Sequence, residues 1–254
     1  MKVTVCEIHS AADELGAQWE RLTAHLQESR SELLLLPEMP FHPWMFGDSE
    51  YRPEQWQAAE QAHVEWLEVL AELPCAVAAT RPITEDARRV NRGFTLLHGH
   101  YADVHTKHYV PAEDGFWEAA WYQPGAGIFE TFTAAQANCG MLICTDVWFM
   151  EHAQQYGRDG AHLLLNPRAN YGGAEDRALW QAATQVAAFS SGTWVATSNL
   201  LPADAEPGTA AHAWVMSPDG EVVAETTAEQ PFSTADIDLD AAVQAKRRYP
   251  CYIR

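Results

Sequence analysis

The sequence predicts an α/β protein in which mixed sheets and helices are stacked in layers. Early in the chain, short apolar segments typical of buried strands alternate with amphipathic helices, and later strands come in pairs joined by turns. Helical crossovers favour parallel neighbours and tight turns favour antiparallel ones, so we expect both in the sheets. With 47% hydrophobic residues, the chain can fill a large core. No convincing linker divides residues 1–254, so we expect a single domain.

The opening segment is predicted to be a β-α-β unit. Residues 3–9 have the pattern of a strand, residues 11–30 carry an apolar helical stripe, and residues 33–36 are a buried apolar strand. A late hairpin is indicated by Pro218-Asp219-Gly220, and residues 202–208 have the composition of a surface loop. In chain order, the pattern between and after the β-α-β unit predicts a helix over 53–72, strands over 75–80, 93–98, 101–107, 127–132 and up to 144, a helix over 148–157, a strand over 161–165, a helix over 175–190, and strands over 193–198, 211–216, 221–226 and 232–237.

Charge and cysteine content exclude several classes of partner. Lys and Arg number 16 against 35 Asp and Glu, a formal net charge of -19, so nucleic acid and anionic membranes would be repelled. Residues 33–36 are too few to span a bilayer. Five cysteines without paired spacing suggest neither a disulfide framework nor a zinc knuckle. We therefore expect a soluble cytoplasmic protein.

Cys144 is the first candidate for chemistry. It follows the apolar run 141–143 and precedes Thr145-Asp146, which places a thiol where a buried strand is expected to end. A free cysteine is more often a small core residue than a nucleophile. A catalytic role therefore needs a base and an oxyanion donor elsewhere in the chain.

Three charged residues can supply those groups. Glu38 follows a buried strand and Pro37, where apolar surroundings would raise the pKa of a carboxyl group and make it a better base. Lys107 ends another strand, where a fixed ammonium could stabilise an oxyanion. Glu118 lies among large aromatic residues. Taken singly, each position also has an ordinary explanation. Glu38 could be a solvated acid, Lys107 a surface lysine, and the aromatic residues around Glu118 part of the core.

Together, the motifs resemble the nitrilase (carbon-nitrogen hydrolase) superfamily. The resemblance lies in Leu-Pro-Glu at Glu38, in Lys107 before Trp-Glu-Ala-Ala-Trp-Tyr-Gln-Pro-Gly around Glu118, and in Gly-Met-Leu-Ile-Cys-Thr-Asp around Cys144. It implies a four-layer α-β-β-α sandwich, a triad of Glu38, Lys107 and Cys144, and a second glutamate, for which Glu118 is a better match than Glu113. It implies no cofactor and no metal, and usually a homodimer or larger assembly.

The resemblance also implies a mechanism. Glu38 would take the proton of Cys144, Lys107 would favour the thiolate, and Lys107 with the backbone N–H of Thr145 would stabilise the oxyanion. Thr145 stands where relatives often have an aromatic residue, and Met150 where they often have proline. True nitrilases commonly carry Cys-Trp-Glu, whereas Cys-Thr-Asp is more similar to the amidase and carbamoylase branches. We therefore expect a small-molecule amide or N-carbamoyl substrate.

Substrate-binding and interface residues are weaker predictions. Trp117 and Trp148 lie near the motifs and are candidates for an aromatic pocket or for core packing. Arg168, in the segment that ends with Asn170, could bind a substrate carboxylate or form an internal ion pair. By the same resemblance, the candidates for a dimer interface are Trp148, Phe149 and Trp180.

Two other functions remain open at this level. A metal hydrolase would use His98 and His100 with His105 and His108, but Gly99 between the first two suggests a turn that spoils chelation. A non-catalytic scaffold would keep the sandwich, but it would have no need of all four polar residues. Nitrile hydrolysis by Cys144 is the alternative within the superfamily.

Overall fold

The computed structural model describes residues 1–10, 12–170, 174–201 and 213–253. The predicted loop over 202–208 and the first two residues of the predicted strand over 211–216 lie outside these ranges. The strands are β1 (Lys2–His9), β2 (Leu33–Leu35), β3 (Ala76–Glu85), β4 (Arg88–Leu97), β5 (His100–Thr106), β6 (Phe132–Ala134), β7 (Ala137–Met141), β8 (Leu163–Ala169), β9 (Trp194–Leu201), β10 (Trp214–Met216), β11 (Val222–Glu225) and β12 (Phe232–Asp236). The helices are α1 (Ala12–Ser29), α2 (Pro53–Ala71), α3 (Glu118–Trp121), α4 (Met150–Arg158), α5 (Ala174–Ser191) and α6 (Leu239–Ala245), and a 3₁₀ turn covers Cys144–Trp148.

Strand β1 belongs to two sheets. Its first residues pair with β2 in parallel and with β12 antiparallel, and Glu7, Ile8 and His9 pair with β9 in parallel. The first sheet has the order β12-β1-β2-β3-β4-β5, and the second has the order β11-β10-β9-β8-β7-β6. Both contain parallel and antiparallel neighbours, which confirms the mixed sheets that the sequence predicts.

Alternating side chains of β2 and the residue after it show how the layers are stacked. Leu33 and Leu35 pack in the cluster that joins the two sheets, which also contains residues of β7 and β8. Leu34 and Leu36 point the other way, into the cluster that joins the first sheet to α1 and α2. Both faces of β2 are therefore buried, as its uninterrupted run of leucines requires.

Helices α4 and α5 cover the outer face of the second sheet. The close approach is clearest at Gly140 of β7, where an added Cβ would lie 2.5 Å from the ring of Tyr156 on α4. With α1 and α2 on one side and α4 and α5 on the other, the layers follow the order α-β-β-α, as the resemblance implies. No helix within the described ranges is long and apolar enough to cross a membrane.

Several element boundaries differ from the sequence prediction. Strand β7 ends at Met141, so the prediction that a strand ends at Cys144 is wrong, and Cys144 begins the 3₁₀ turn instead. Residues 127–131 are not a strand. Strand β8 runs on to Ala169 because Asn166 and Arg168 continue its pairing with β9, although their polarity ended the apolar pattern. Helices α3 and α6 are too short to show a periodic pattern.

Candidate active site

Three of the predicted site residues follow strand ends at the interface between the two sheets. Lys107 comes directly after β5, Glu38 follows β2, and Cys144 follows β7. Cys144 has a left-handed backbone conformation with φ of 47°, and Met39, next to Glu38, has φ of 44°. This conformation is strained for residues with a side chain, and such strain is concentrated at functional sites. The two sharp turns aim the Glu38 and Cys144 side chains into one buried space.

A chain of charged contacts joins the site. The Lys107 Nζ donates to Glu38 Oε1 at 2.8 Å and to Glu118 Oε2 at 2.5 Å, and all three residues are fully buried. Two carboxylates thus face one ammonium group. The other oxygens, Glu38 Oε2 and Glu118 Oε1, accept no hydrogen bond from the described residues. An unoccupied acceptor on Glu38 is what a general base needs.

The surroundings of Glu38 raise the pKa of its carboxyl group to near neutral pH. Burial raises its pKa from 4.5 to about 7, against the opposing effect of the Lys107 charge, and the nearby Glu118 carboxylate adds to the increase. For Lys107 the balance is reversed. Burial opposes its charge, but the carboxylates of Glu118 and Glu38 outweigh it and hold the pKa well above the usual value. Lys107 is therefore a permanent cation beside a carboxyl group that titrates near pH 7.

Cys144 is a protonated thiol at rest. Burial raises its pKa well above the usual value, and the Glu38 charge raises it further, while Lys107 lowers it. The charge of Lys107 thus favours the thiolate, but desolvation and the carboxylates outweigh it. Removal of the thiol proton has to accompany attack on a substrate, and Glu38 is the neighbouring carboxylate that can accept it.

Four supporting residues were not predicted from the sequence. Buried Asn91 of β4 donates from Nδ2 to Glu38 Oε1 at 2.7 Å, and the Tyr122 hydroxyl donates to Glu118 Oε2. Asn166 donates from Nδ2 to the carbonyl oxygens of residues 142 and 144, at 2.5 and 3.1 Å. Asp146 accepts hydrogen bonds that link the turn after β7 to the segment after β5. Because Asn91 precedes the predicted strand over 93–98, the sequence pattern carries no signal for its role.

The structure places the other predicted residues less centrally. The Thr145 hydroxyl donates to the carbonyl oxygen of Tyr109 at 2.5 Å, so its side chain braces the site. Trp117 is half-buried and precedes α3, and Trp148 is 40% exposed. Glu113 is exposed in a turn, so Glu118 is the glutamate that reaches Lys107.

Arg168 and Asn170 are buried beside the strand ends. The Arg168 guanidinium lies 4.9 Å from the ring centroid of Trp180 and 4.7 Å from that of Trp214, and burial lowers its pKa to about 10. Packing between two indoles favours an internal role over capture of a substrate carboxylate. The backbone N–H of Asn170 donates to the Asn199 Oδ1 at 2.9 Å, and the Asn199 Nδ2 donates to the backbone carbonyl oxygen of Asn170 at 2.7 Å.

The histidines of the proposed metal site are dispersed. His98 and His100 are exposed on either side of the β4–β5 turn, whereas the His105 Nε2 contacts Asp146 Oδ2 at 2.9 Å and the His108 Nδ1 contacts the Gly125 carbonyl oxygen at 2.8 Å. In the described part of the chain, no three His, Cys, Asp or Glu side chains converge as they would to hold a metal ion.

A four-layer sandwich with cysteine, lysine and glutamate buried together at its strand ends places the chain in the nitrilase superfamily. More specifically, the chain belongs to the carbon-nitrogen hydrolase family, whose model matches residues 2–247. The omega-amidases NIT2 of Xenopus tropicalis and Homo sapiens are both 31% identical to it over 144 residues, 56% of this chain and 51% of each relative. The chain thus spans about half the length of these curated relatives.

Solved structures confirm the fold. A carbon-nitrogen hydrolase from Helicobacter pylori G27 superposes with a TM-score of 0.83 at 19% identity, over 99% of this chain and 94% of that one. An amidase from Nesterenkonia sp. AN1, with acrylamide added to its active-site cysteine, superposes with a TM-score of 0.75 at 19% identity, over 96% and 95% of the two chains.

Proposed function

We propose that this protein is a thiol amidohydrolase that cleaves the carbon-nitrogen bond of a small linear amide or N-carbamoyl compound through a thioester on Cys144. The observation that carries the proposal is the buried cluster of Glu38, Lys107, Glu118 and the Cys144 thiol. Such a cluster is costly to bury and is typical of groups kept for chemistry. A scaffold with no activity would gain nothing from it.

The first half of the reaction forms the thioester. Glu38 accepts the Cys144 proton as the sulfur attacks the substrate carbonyl carbon, and the carbonyl oxygen becomes an oxyanion. The Lys107 ammonium and the backbone N–H of Thr145 stabilise that charge. When the tetrahedral intermediate collapses, the carbon-nitrogen bond breaks and Glu38 returns its proton to the departing ammonia or amine.

The second half hydrolyses the thioester. Glu38, ionised again, accepts a proton from water as the water oxygen attacks the thioester carbon. The carbon-sulfur bond then breaks, the sulfur takes the proton back, and a carboxylic acid leaves. Glu118 does not touch the reacting atoms in this scheme. Its contact with Lys107 at 2.5 Å keeps the ammonium charged and in place.

The choice of amide over nitrile rests on two observations. Cys144 is followed by Thr145-Asp146 rather than by the Trp-Glu common in true nitrilases. The curated relatives reported above are omega-amidases, which favours a terminal amide as the bond that is cleaved. A buried site and four acidic or basic groups suit a small polar substrate better than a polymer.

The test is a panel of amides, N-carbamoyl compounds and nitriles assayed for ammonia release. We expect turnover of amides by the wild type and its loss in Cys144→Ala. Cys251→Ala, which removes a partly buried thiol outside the site, is the control and should keep the wild-type rate. An amidase activity that survives in Cys144→Ala would refute the mechanism, and turnover of nitriles alone would assign the other branch.

We also propose that the protein forms a homodimer and works in the cytoplasm. Trp148 and Phe149, which follow the nucleophile in the sequence, are 40% and 36% exposed. The ring centroid of Trp180 lies 5.1 Å from that of Trp148. Exposed aromatic residues of this kind favour an interface. All five cysteines are free, which suits a reducing compartment. Light scattering of the wild type and of Trp148→Glu tests the dimer, which the substitution should weaken.

A further inference from the structure

Asp146 makes four hydrogen bonds although it is fully buried. Its Oδ1 accepts from the backbone N–H of His108 at 3.2 Å and of Tyr109 at 3.0 Å. Its Oδ2 accepts from the backbone N–H of Ile143 at 3.1 Å and contacts the His105 Nε2 at 2.9 Å. Two carboxylate oxygens offer about four acceptor positions, so Asp146 is fully used.

These partners lie on both sides of the proposed catalytic residues. Ile143 precedes Cys144, whereas His105, His108 and Tyr109 surround Lys107 in the sequence. The two segments belong to different sheets, because Lys107 follows β5 of the first sheet and Cys144 follows β7 of the second. Asp146 is therefore a bridge between the sheets at the site.

The other contacts of Lys107 do not provide this bridge. Its ammonium contacts Glu38, which follows β2 of the first sheet, and Glu118 of α3. Its backbone N–H donates to the carbonyl oxygen of Asn91 in β4, also in the first sheet, at 3.0 Å. These bonds fix Lys107 relative to Glu38. Its distance from Cys144 is set by contacts between the segments at the ends of β5 and β7, of which Asp146 makes three and the Thr145 hydroxyl makes one, to the Tyr109 carbonyl oxygen.

We propose that Asp146, held by His105, is a positioning residue that sets the separation between the Lys107 ammonium and the Cys144 thiol. The inference rests on the proposed function, because it concerns the distance between the attacking Cys144 sulfur and the Lys107 ammonium that stabilises the oxyanion. A second bond across the sheets, from the Glu38 backbone N–H to the Arg168 carbonyl oxygen at 3.1 Å, fixes the base in the same way. Each of the two charged groups thus has its own tie to the second sheet.

The carboxylate cannot be replaced by an amide of the same shape. In Asp146→Asn, the new NH₂ group faces the backbone N–H groups of His108 and Tyr109 in one orientation and the backbone N–H of Ile143 in the other. Whichever way the amide is turned, at least one hydrogen bond of the bridge is lost and the segments that it holds shift. A displacement of about 1 Å between reacting groups costs on the order of a hundredfold in rate.

The experiment compares kcat and KM for Asp146→Asn, His105→Phe and Asp103→Asn on the best amide of the panel. We expect kcat to fall about a hundredfold in Asp146→Asn and about tenfold in His105→Phe, with KM within about threefold of wild type, since the loss falls on the transition state. Asp103→Asn makes the same chemical change at an exposed position of β5 and should leave both constants unchanged.

A folded Asp146→Asn variant with the wild-type kcat would overturn the proposal. So would a fall in kcat that only follows the loss of folded protein, measured by circular dichroism at the assay temperature. If Asp146→Asn does not fold, His105→Phe decides, because it removes one contact of the four, and an unchanged kcat there refutes the bridge. Failure of the proposed function is a separate result, because Cys144→Ala would then keep the wild-type rate.

Discussion

Replacing Glu38 by Gln should inactivate the protein and also make it more stable. Two buried carboxylates face the single ammonium of Lys107, so the cluster holds one excess negative charge. Glutamine has the same shape, and its Oε1 can still accept from Asn91 and Lys107. Its NH₂ group would replace Oε2, which accepts nothing from the described residues. The substitution therefore removes a base and a buried charge while it keeps the two hydrogen bonds to Oε1.

The pKa of Glu38 gives the size and the pH dependence of the effect. Burial raises it from 4.5 to about 7 in the folded protein. Because the folded state binds this proton more tightly, the cost of ionised Glu38 is fully present above pH 7 and disappears as the pH falls to 4.5. At 1.36 kcal/mol per pKa unit, that cost is roughly 3 kcal/mol at pH 8 and roughly 1 kcal/mol at pH 5.

Urea or thermal unfolding at pH 8 and at pH 5 measures this difference. We expect Glu38→Gln to raise the free energy of unfolding at pH 8, with a melting temperature several degrees above wild type, and to lose most of that gain at pH 5. Glu68→Gln, at an exposed position of α2, should change neither value. A variant that is no more stable at pH 8, or equally stabilised at both pH values, would refute the reasoning.

Three further outcomes follow from the same contacts. Lys107→Met should lower kcat by about a hundredfold or more and destabilise the fold by roughly 3–5 kcal/mol, because two buried carboxylates lose their cation; activity assays and urea unfolding check this. In the wild type, kcat/KM should rise with pH through about 7 as Glu38 ionises, and a flat profile from pH 5.5 upward would exclude it as the base. Gly140→Ala should cost roughly 1–3 kcal/mol in unfolding experiments because its Cβ would meet the Tyr156 ring, whereas Gly16→Ala, with open space, should cost nothing.

The sequence predicts the four central residues because each is a polar group beside an apolar or aromatic segment. Glu38, Lys107 and Cys144 follow strands whose carboxyl ends meet in the fold. Their order also matches one superfamily, which supplies roles that no single position could. The layered arrangement of the sheets could also be predicted, because a strand that is buried on both faces, such as β2, appears in the sequence as an uninterrupted run of leucines.

The supporting contacts could not be predicted, because they join residues far apart in the chain. Asp146 follows the cysteine motif, but nothing in the sequence shows that its acceptors serve backbone groups around Lys107. Asn91 lies outside the predicted strand over 93–98, because β4 begins earlier, in a polar stretch that pairs with β3. The sequence leaves Arg168 open between a ligand for a substrate carboxylate and an internal ion pair, and its packing against the indoles of Trp180 and Trp214 depends on the fold.

The protonation of the thiol also depends on three-dimensional packing. A lysine beside a cysteine normally favours the thiolate. Here the pKa of Cys144 is raised, because burial and the Glu38 carboxylate together exceed the effect of Lys107. Only the folded arrangement shows which of these opposing effects is larger.

The most direct test of the central claim is detection of the thioester on Cys144. The wild type is mixed with its best amide substrate, quenched in acid during turnover, and digested for mass spectrometry. We predict that the peptide containing Cys144 gains the mass of the acyl group, and that Cys144→Ala shows neither the adduct nor turnover. Turnover with the acyl group on another residue would contradict the account.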